Sequence, residues 1–118
     1  MNTKLQGDIG EDLAAQHFVA LGYHIVKRNL RCRQGEVDIV VYKDDTLVFV
    51  EVKHWTTVPA EDLIRSIGQR KQRRIQGCAR YFLQENPDWA QCKIRFDIVF
   101  LNADLTHYDN AFTENGFE

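Results

Sequence analysis

Residues 35–55 read GEVDIVVYKDDTLVFVEVKHW, two runs rich in β-branched residues on either side of a pair of aspartates. Short apolar runs bounded by turn-forming residues predict two strands, and Asp44 and Asp45 at the centre predict the tight turn of a hairpin. A symmetric turn sets the register. One face then pairs Val41 with Val48, Ile39 with Val50 and Val37 with Val52, all β-branched, which calls for burial. The other face pairs Tyr42 with Leu47 and Val40 with Phe49, after which Asp38 falls opposite Glu51 and Glu36 opposite Lys53. Two carboxylates facing each other across a strand pair repel, so something must compensate them. A divalent cation is one answer, since Mg2+ and Mn2+ take oxygen ligands and commonly use one or two carboxylates. An exposed sheet end neutralised by Lys53 is the other.

Outward from the hairpin, apolar spacing predicts a helix from about Gln6 to Leu21 and a strand from about Tyr23 to Arg31. After it come a long helix from about Glu61 to Gln84, stopped by Asn86-Pro87, and a strand from Lys93 to Leu101. A short edge strand is expected between about Asp104 and Ala111. The order αβββαβ predicts an α/β sandwich whose mixed sheet is flanked by helices: strands one to three form a meander and the second helix crosses over to bring strand four alongside. With 118 residues, 44% of them hydrophobic, the chain is long enough for one core and too short for two ordinary ones, so a single domain over 1–118 is expected.

Each helix carries one charge on its apolar stripe. Glu11 shares a face with Ala14, Phe18 and Leu21, which would let it reach the sheet, although an acid in a first helical turn is favourable by itself. Lys71 interrupts the stripe Ile64, Ile67, Ile75, Cys78, Phe82; it either snorkels to solvent or leans over the carboxylate end of the sheet. The net charge is −2, yet ten of the fifteen Lys and Arg residues fall in two spans free of acids. These are Lys27, Arg28, Arg31 and Arg33, and Arg65, Arg70, Lys71, Arg73, Arg74 and Arg80. They are either solvated faces or a strongly positive local field that suits nucleic acid.

Cys32, Cys78 and Cys92 are odd in number and lack CxxC spacing, which suggests neither a disulfide framework nor a zinc site and favours a reducing cytoplasm. The first residues turn acidic where a signal peptide needs its apolar core, and no run approaches the roughly 18 apolar residues of a membrane span. A soluble, cytoplasmic protein is expected, with no membrane partner. His54 alternates onto the face opposite Lys53, and packing at the strand end is the expected role of Trp55.

Asp38 with Glu51, Val52 and Lys53 matches the D…(D/E)xK pattern of the restriction-endonuclease-like, or PD-(D/E)XK, nucleases. GDIGEDLA, LGYHIVKRNLRCRQGEVDIV, LVFVEVK, KQRRI, ARYFL and RFDIV together resemble the YraN-like family of bacterial proteins, over almost the whole chain to about Asn102. Val37 stands where the superfamily's name has proline, as is usual in that family. The resemblance implies a restriction-endonuclease-like fold shared with archaeal Holliday junction resolvases. It makes Glu11, Asp38 and Glu51 metal-binding acids for Mg2+ or Mn2+ and Lys53 the catalytic lysine. Asn29, Arg31, Gly35, Glu36, Lys71, Arg95 and Asp97 also match family positions; Arg31 and Lys71 are expected near phosphates, with Asn29 and, from the basic clusters, Arg28 and Arg74 as further substrate contacts. The activity implied is metal-dependent phosphodiester hydrolysis on nucleic acid, by a DNA endonuclease of branched or recombination and repair intermediates. A noncatalytic nucleic-acid-binding protein is the alternative, and a symmetric homodimer follows if the junction analogy holds.

Overall fold

The computed structural model describes residues 3–54 and 67–113. Helix α1 (Thr3–Ala20) leads into strands β1 (His24–Cys32), β2 (Gly35–Lys43) and β3 (Thr46–His54). Helix α2 (Gln69–Glu85), a 3-10 turn at Pro87–Trp89, β4 (Lys93–Leu101) and the short β5 (Leu105–Tyr108) complete the order. The five strands form one sheet in sequence order. Only β3 and β4 run parallel, joined by the crossover that contains α2; the other pairs are antiparallel. This is the mixed α/β architecture expected from the αβββαβ pattern, with β5 added at the edge.

Local chemistry explains the boundaries. Asp44 and Asp45 both have positive φ, at 50° and 65°, the signature of the type I′ turn whose twist matches a hairpin. Helix α1 ends at Gly22, φ 94°, where the Tyr23 N–H reaches back to the Phe18 carbonyl at 3.0 Å. The Tyr23 ring meets Phe18 edge-on at 5.3 Å, so hydrogen bond and apolar contact close the helix together. Leu21, expected on the buried stripe, lies past this stop and is exposed.

Alternation along the strands divides the core in two. Val40, Leu47, Phe49, Phe96, Ile98 and Phe100 pack under Ile75, Cys78, Ala79 and Phe82 of α2. On the opposite face Ile39, Val41, Val48, Val50, Val99 and Leu101 pack under Ala14, Ala15 and Phe18 of α1. Full burial of each large apolar side chain is worth about 1.5–3 kcal/mol, so both faces need their helix. Gly10 lets α1 come close: a Cβ there would fall inside 3.0 Å of the His54 ring and of Leu101. His54 therefore lies on the α1 side, as its alternation predicts.

Three expectations are corrected. Ile67 and Gly68 are not helical and α2 starts at Gln69, so the helix predicted from about Glu61 is not continuous; residues 61–66, like Trp55, lie outside the described residues. The β2–β3 ladder follows the predicted register from Lys43–Thr46 to Ile39–Val50 and stops there. Asp38 and Glu51 are thus not a ladder pair, Glu36 pairs with Arg31 of β1 rather than with Lys53, and Val37 joins the α2-side core. Finally, Cys32 and Cys78 form a disulfide, Cα atoms 5.7 Å apart, and only Cys92 is a free thiol. The end of β1 and the middle of α2 meet through the fold, a proximity that neither cysteine count nor spacing reveals, and three unpaired thiols no longer speak for a reducing compartment.

Candidate active site

The site forms where the hairpin ladder stops. Past Ile39 and Val50 the strands lose their backbone pairing, and the Val52 N–H donates instead to Asp38 Oδ2 at 2.7 Å. The carboxylate takes the place of a strand carbonyl and is fixed in the gap between β2 and β3. Glu51 lies beside it, 8% exposed, interacting directly with Asp38. Lys71 reaches Glu51 Oε1 at 3.5 Å from the first turn of α2, with its own side chain half exposed. Glu51 Oε2 is buried and has no hydrogen-bond partner among the described residues. A small cavity of about 150 Å³ opens here, lined by Glu51, Lys53, Ile67 and Lys71.

The electrostatics follow from this packing. Burial raises the Glu51 pKa to about 8, the neighbouring Asp38 carboxylate adds to the rise, and Lys71 offsets part of it. Burial also raises Asp38, against the lowering effect of the Val52 N–H. Lys71, half in water, offsets only part of the rise that burial and Asp38 impose on Glu51. Oxygen donors, an excess of negative charge and an orphaned buried oxygen fit a hard divalent cation such as Mg2+ or Mn2+. Asp38 and Glu51 are the residues placed to hold it.

Glu11 is placed differently. Arg28 Nη1 bonds Asp12 at 2.7 Å and Nη2 lies 4.0 Å from Glu11. The Asn29 carboxamide, turned with its nitrogen toward the carboxylate, donates to Glu11 Oε1 and Oε2 at 3.0 and 3.2 Å. Asn29 sits at φ 54°, between the pairs Arg28–Ile39 and Leu30–Val37 and so level with Asp38 on the neighbouring strand. Among the described residues no three acidic, histidine or cysteine side chains converge as a metal cage. The structure therefore brings Asp38, Glu51, Lys53 and Lys71 together, while Glu11, Arg28 and Asn29 form an adjoining group.

The two basic spans become neighbours. Gly35 stacks under Arg74, where a Cβ would lie 3.5 Å from that of Arg74, and Gly77 meets Gln34 in the same way. The β1–β2 turn thus rests on α2, and the basic span that ends β1 meets the one on α2 at Gly35 and Arg74 and at the Cys32–Cys78 bridge. Arg31 is 80% exposed and lies 3.5 Å from Glu36.

A second charged cluster lies on the α1 side of the sheet. Asp97, fully buried, accepts from Arg95 Nε at 2.8 Å, Arg95 Nη2 at 2.9 Å and the Asn110 N–H at 3.0 Å. It also bonds His107 Nε2 at 2.7 Å, and His107 Nδ1 meets His17 Nε2 of α1 at 2.9 Å. Burial by itself would raise Asp97, but the hydrogen bonds from His107 and Arg95 outweigh it and hold the pKa below the ordinary carboxylate value. Arg95 also donates to the Tyr23 hydroxyl at 2.7 Å, so the cluster ties β4, β5, α1 and the start of β1 together. The sequence offers no spacing that would link His17, His107 and Asp97.

Residues 10–101 match the model of "Uncharacterised protein family UPF0102". The chain belongs to this family. UPF0102 relatives include a protein of Lachnoclostridium phytofermentans, 42% identical over 98% of this chain and 99% of its own. Another, of Treponema pallidum (strain Nichols), is 37% identical over 96% of each chain. A third, of Clostridioides difficile (strain 630), is 33% identical over 95% of this chain and 100% of its own. Among solved structures, Pyrococcus furiosus SfsA in complex with Ca2+ aligns with a TM-score of 0.34 and 16% identity. The alignment covers 92% of this UPF0102 chain and 63% of that one, less than two thirds of its length. A likeness at that level carries no functional argument. No helix of the described residues is long and apolar enough to cross a membrane.

Proposed function

We propose that this UPF0102 protein is a metal-dependent nuclease of the restriction-endonuclease-like type. It hydrolyses phosphodiesters in nucleic acid, with branched DNA of recombination and repair as its substrate class. The observation that carries the reading is the Asp38–Glu51 pair at the break in the hairpin, with one buried oxygen unpartnered among the described residues and two lysines lining the adjoining cavity. Bound there, Mg2+ or Mn2+ would polarise a phosphoryl oxygen and lower the pKa of water. The chain's own residues do the rest. The Val52 N–H orients Asp38, and Lys53 and Lys71 set ammonium groups where negative charge grows on the phosphoryl oxygens, which is most effective in a site poor in bulk water. Arg31, Arg33, Arg70, Arg73 and Arg74 neutralise backbone phosphates, giving affinity that falls with salt and carries little sequence information.

One observation favours a second reading, a nucleic-acid-binding protein without turnover: Glu11 is held by Arg28 and Asn29 rather than joined to Asp38 and Glu51. The two readings separate in one experiment. Four-way junctions, flaps, single strands, duplexes and RNA are incubated with Mg2+ or Mn2+, with Glu51→Ala in parallel. Cleavage that needs metal and disappears in the variant supports the nuclease; binding with no cleavage of any substrate removes it in favour of the binder. A junction presents two strands to be cut, so a symmetric dimer goes with that substrate. A strict monomer in sedimentation at micromolar concentration would strike the four-way junction from the substrate class.

A further inference from the structure

Helix α1 is fastened to the β5 edge of the sheet through two histidines. His17, in the last turn of the helix, and His107 of β5 meet edge-on with ring centroids 5.0 Å apart, and His17 Nε2 lies 2.9 Å from His107 Nδ1. The Phe18 ring packs beside both, 5.4 Å from His17 and 4.7 Å from His107. On its other side His107 Nε2 lies 2.7 Å from Asp97 Oδ2. Asp97 has a lowered pKa, so it is ionised at neutral pH and only accepts; His107 Nε2 therefore carries a hydrogen. With both rings neutral, His17 Nε2–H donates to the lone pair of His107 Nδ1. One added proton keeps the bond, with a charged His17 donating as before or a charged His107 donating in the opposite direction. Two added protons point one N–H at another across 2.9 Å, and the bond becomes a repulsion between cations.

The surroundings favour a charge on either ring and not on both. Asp97 of β4 favours it on His107, and the C-terminal turn of α1 favours it on His17. The Asp97 carboxylate already faces the Arg95 guanidinium through two hydrogen bonds, and Arg95 in turn reaches the Tyr23 hydroxyl at 2.7 Å. Lys43 of β2 donates to the Leu21 carbonyl just past the helix and lies 5.4 Å from the Tyr23 ring centroid. One turn either way along α1, Leu13, Ala14, Ala20 and Leu21 carry no charge. Asp109, two positions beyond His107 in the turn after β5, is exposed. A second proton on the pair thus meets one carboxylate that Arg95 and the first histidinium already share. Burial lowers the His17 pKa and His107 lowers it further, the direction this arrangement demands.

We propose that the His17–His107 contact is a proton-operated latch, which accepts one proton while closed and opens on the second, freeing the C-terminal half of α1 from β5 in mild acid. In the opened chain both rings charge near the ordinary histidine value of 6.5, so below that pH the open form binds one more proton than the closed one. Linkage then raises the opening equilibrium, approaching tenfold per pH unit well below 6.5. Ala14, Ala15 and Phe18, by which α1 covers its face of the sheet, lie in the half that is freed, so opening also uncovers apolar sheet surface. Glu11 lies on the same helix, which links pH to the acid that adjoins the Asp38–Glu51 site. The latch itself does not depend on the nuclease reading.

The test uses the full chain as wild type, His17→Gln, and His24→Gln as a control, His24 being an exposed histidine of β1 outside the cluster. Hydrogen exchange of the α1 amides from Ala15 to Ala20, corrected for the intrinsic pH dependence of exchange, is followed from neutral to mildly acid pH, and the histidine rings are titrated by NMR. Opening of these amides is expected to rise about tenfold in wild type and in His24→Gln between about pH 6.5 and pH 5. It should stay within about twofold in His17→Gln, whose amide donates to His107 Nδ1 when that ring is neutral and accepts from it when it is charged. In wild type the His17 and His107 rings should titrate in two steps about one pH unit or more apart. Opening in wild type that is flat over this range, a slope that persists in His17→Gln, or two rings titrating together near 6.5 overturns the latch. The ring titration is read on wild type, so it decides the matter even if His17→Gln does not fold.

Discussion

Replacing Glu51 by glutamine should stabilise the protein at pH 8 while abolishing the proposed cleavage. Below pH 4.5 the carboxyl is protonated in folded and unfolded chains alike. Between 4.5 and about 8 the unfolded chain releases its proton while the folded chain keeps it, so this group makes stability fall as pH rises. The loss is about 1.36 kcal/mol per pH unit, levels off above the folded value, and accumulates to roughly 5 kcal/mol. Asp38, raised in the same direction, adds to the slope. Glutamine removes the titration, but its amide needs new partners and Lys71 loses its carboxylate, which costs about 2–3 kcal/mol at any pH, so a net gain of about 2–3 kcal/mol is expected at pH 8 and a net loss of about 2 kcal/mol at pH 5. Urea unfolding of wild type and Glu51→Gln at pH 5, 6.5 and 8 measures the gap directly. Millimolar Mg2+ or Mn2+ should narrow it by stabilising the wild type alone. A variant no more stable than wild type at pH 8, or a gap of equal size at pH 5, would refute the account of a carboxylate pair raised by burial.

Reducing the Cys32–Cys78 bridge, which closes a loop across 46 positions, is expected to cost about 2–4 kcal/mol of stability. Thermal melts with and without dithiothreitol, alongside thiol titration of the unreduced protein, check this; three free thiols would remove the bridge. Asp97→Ala strands the Arg95 guanidinium without its two hydrogen bonds and should destabilise by about 3–5 kcal/mol in urea unfolding at pH 7. Because the folded pKa of Asp97 is lowered, the stability it lends is complete above the ordinary carboxylate value of 3.8 and disappears as pH falls past it. Wild type should therefore lose more stability than Asp97→Ala between pH 5 and pH 2. Asp45→Gly, relieving a left-handed residue in the hairpin turn, should stabilise by about 0.5–1 kcal/mol; a loss in the same urea assay would mean that the aspartate side chain itself holds the turn.

The hairpin between Gly35 and His54 was legible because everything that shapes it is local. Period-two alternation assigns the faces, and two adjacent aspartates tolerate the left-handed turn, so the pairs from Lys43–Thr46 to Ile39–Val50 follow from the residues alone. The same applies to β4, whose Phe96, Ile98 and Phe100 alternate with Arg95, Asp97 and Val99, and to the element order that makes a mixed α/β sheet. Periodicity failed where the backbone departs from it without a change of residue pattern. Ile64, Ile67 and Lys71 continue the stripe of α2 backward, yet Gly68 is extended and the helix starts after it.

The amino-acid sequence determined the order of the elements, the two apolar faces of the sheet, and the occurrence of Asp38, Glu51 and Lys53 near one end of a hairpin. These depend on side-chain alternation and turn chemistry over a few residues. Tertiary structure alone decided that the hairpin ladder ends at Ile39 and Val50, freeing Asp38 to take the Val52 N–H. It likewise set Lys71 over Glu51, turned Glu11 toward Arg28 and Asn29, and joined Cys32 to Cys78. It also brought the Arg95–Asp97 pair of β4 to His107 of β5 and His17 of α1. Each of these is a contact between residues distant in the chain, whose energy comes from burial and charge once the two helices have closed on the sheet.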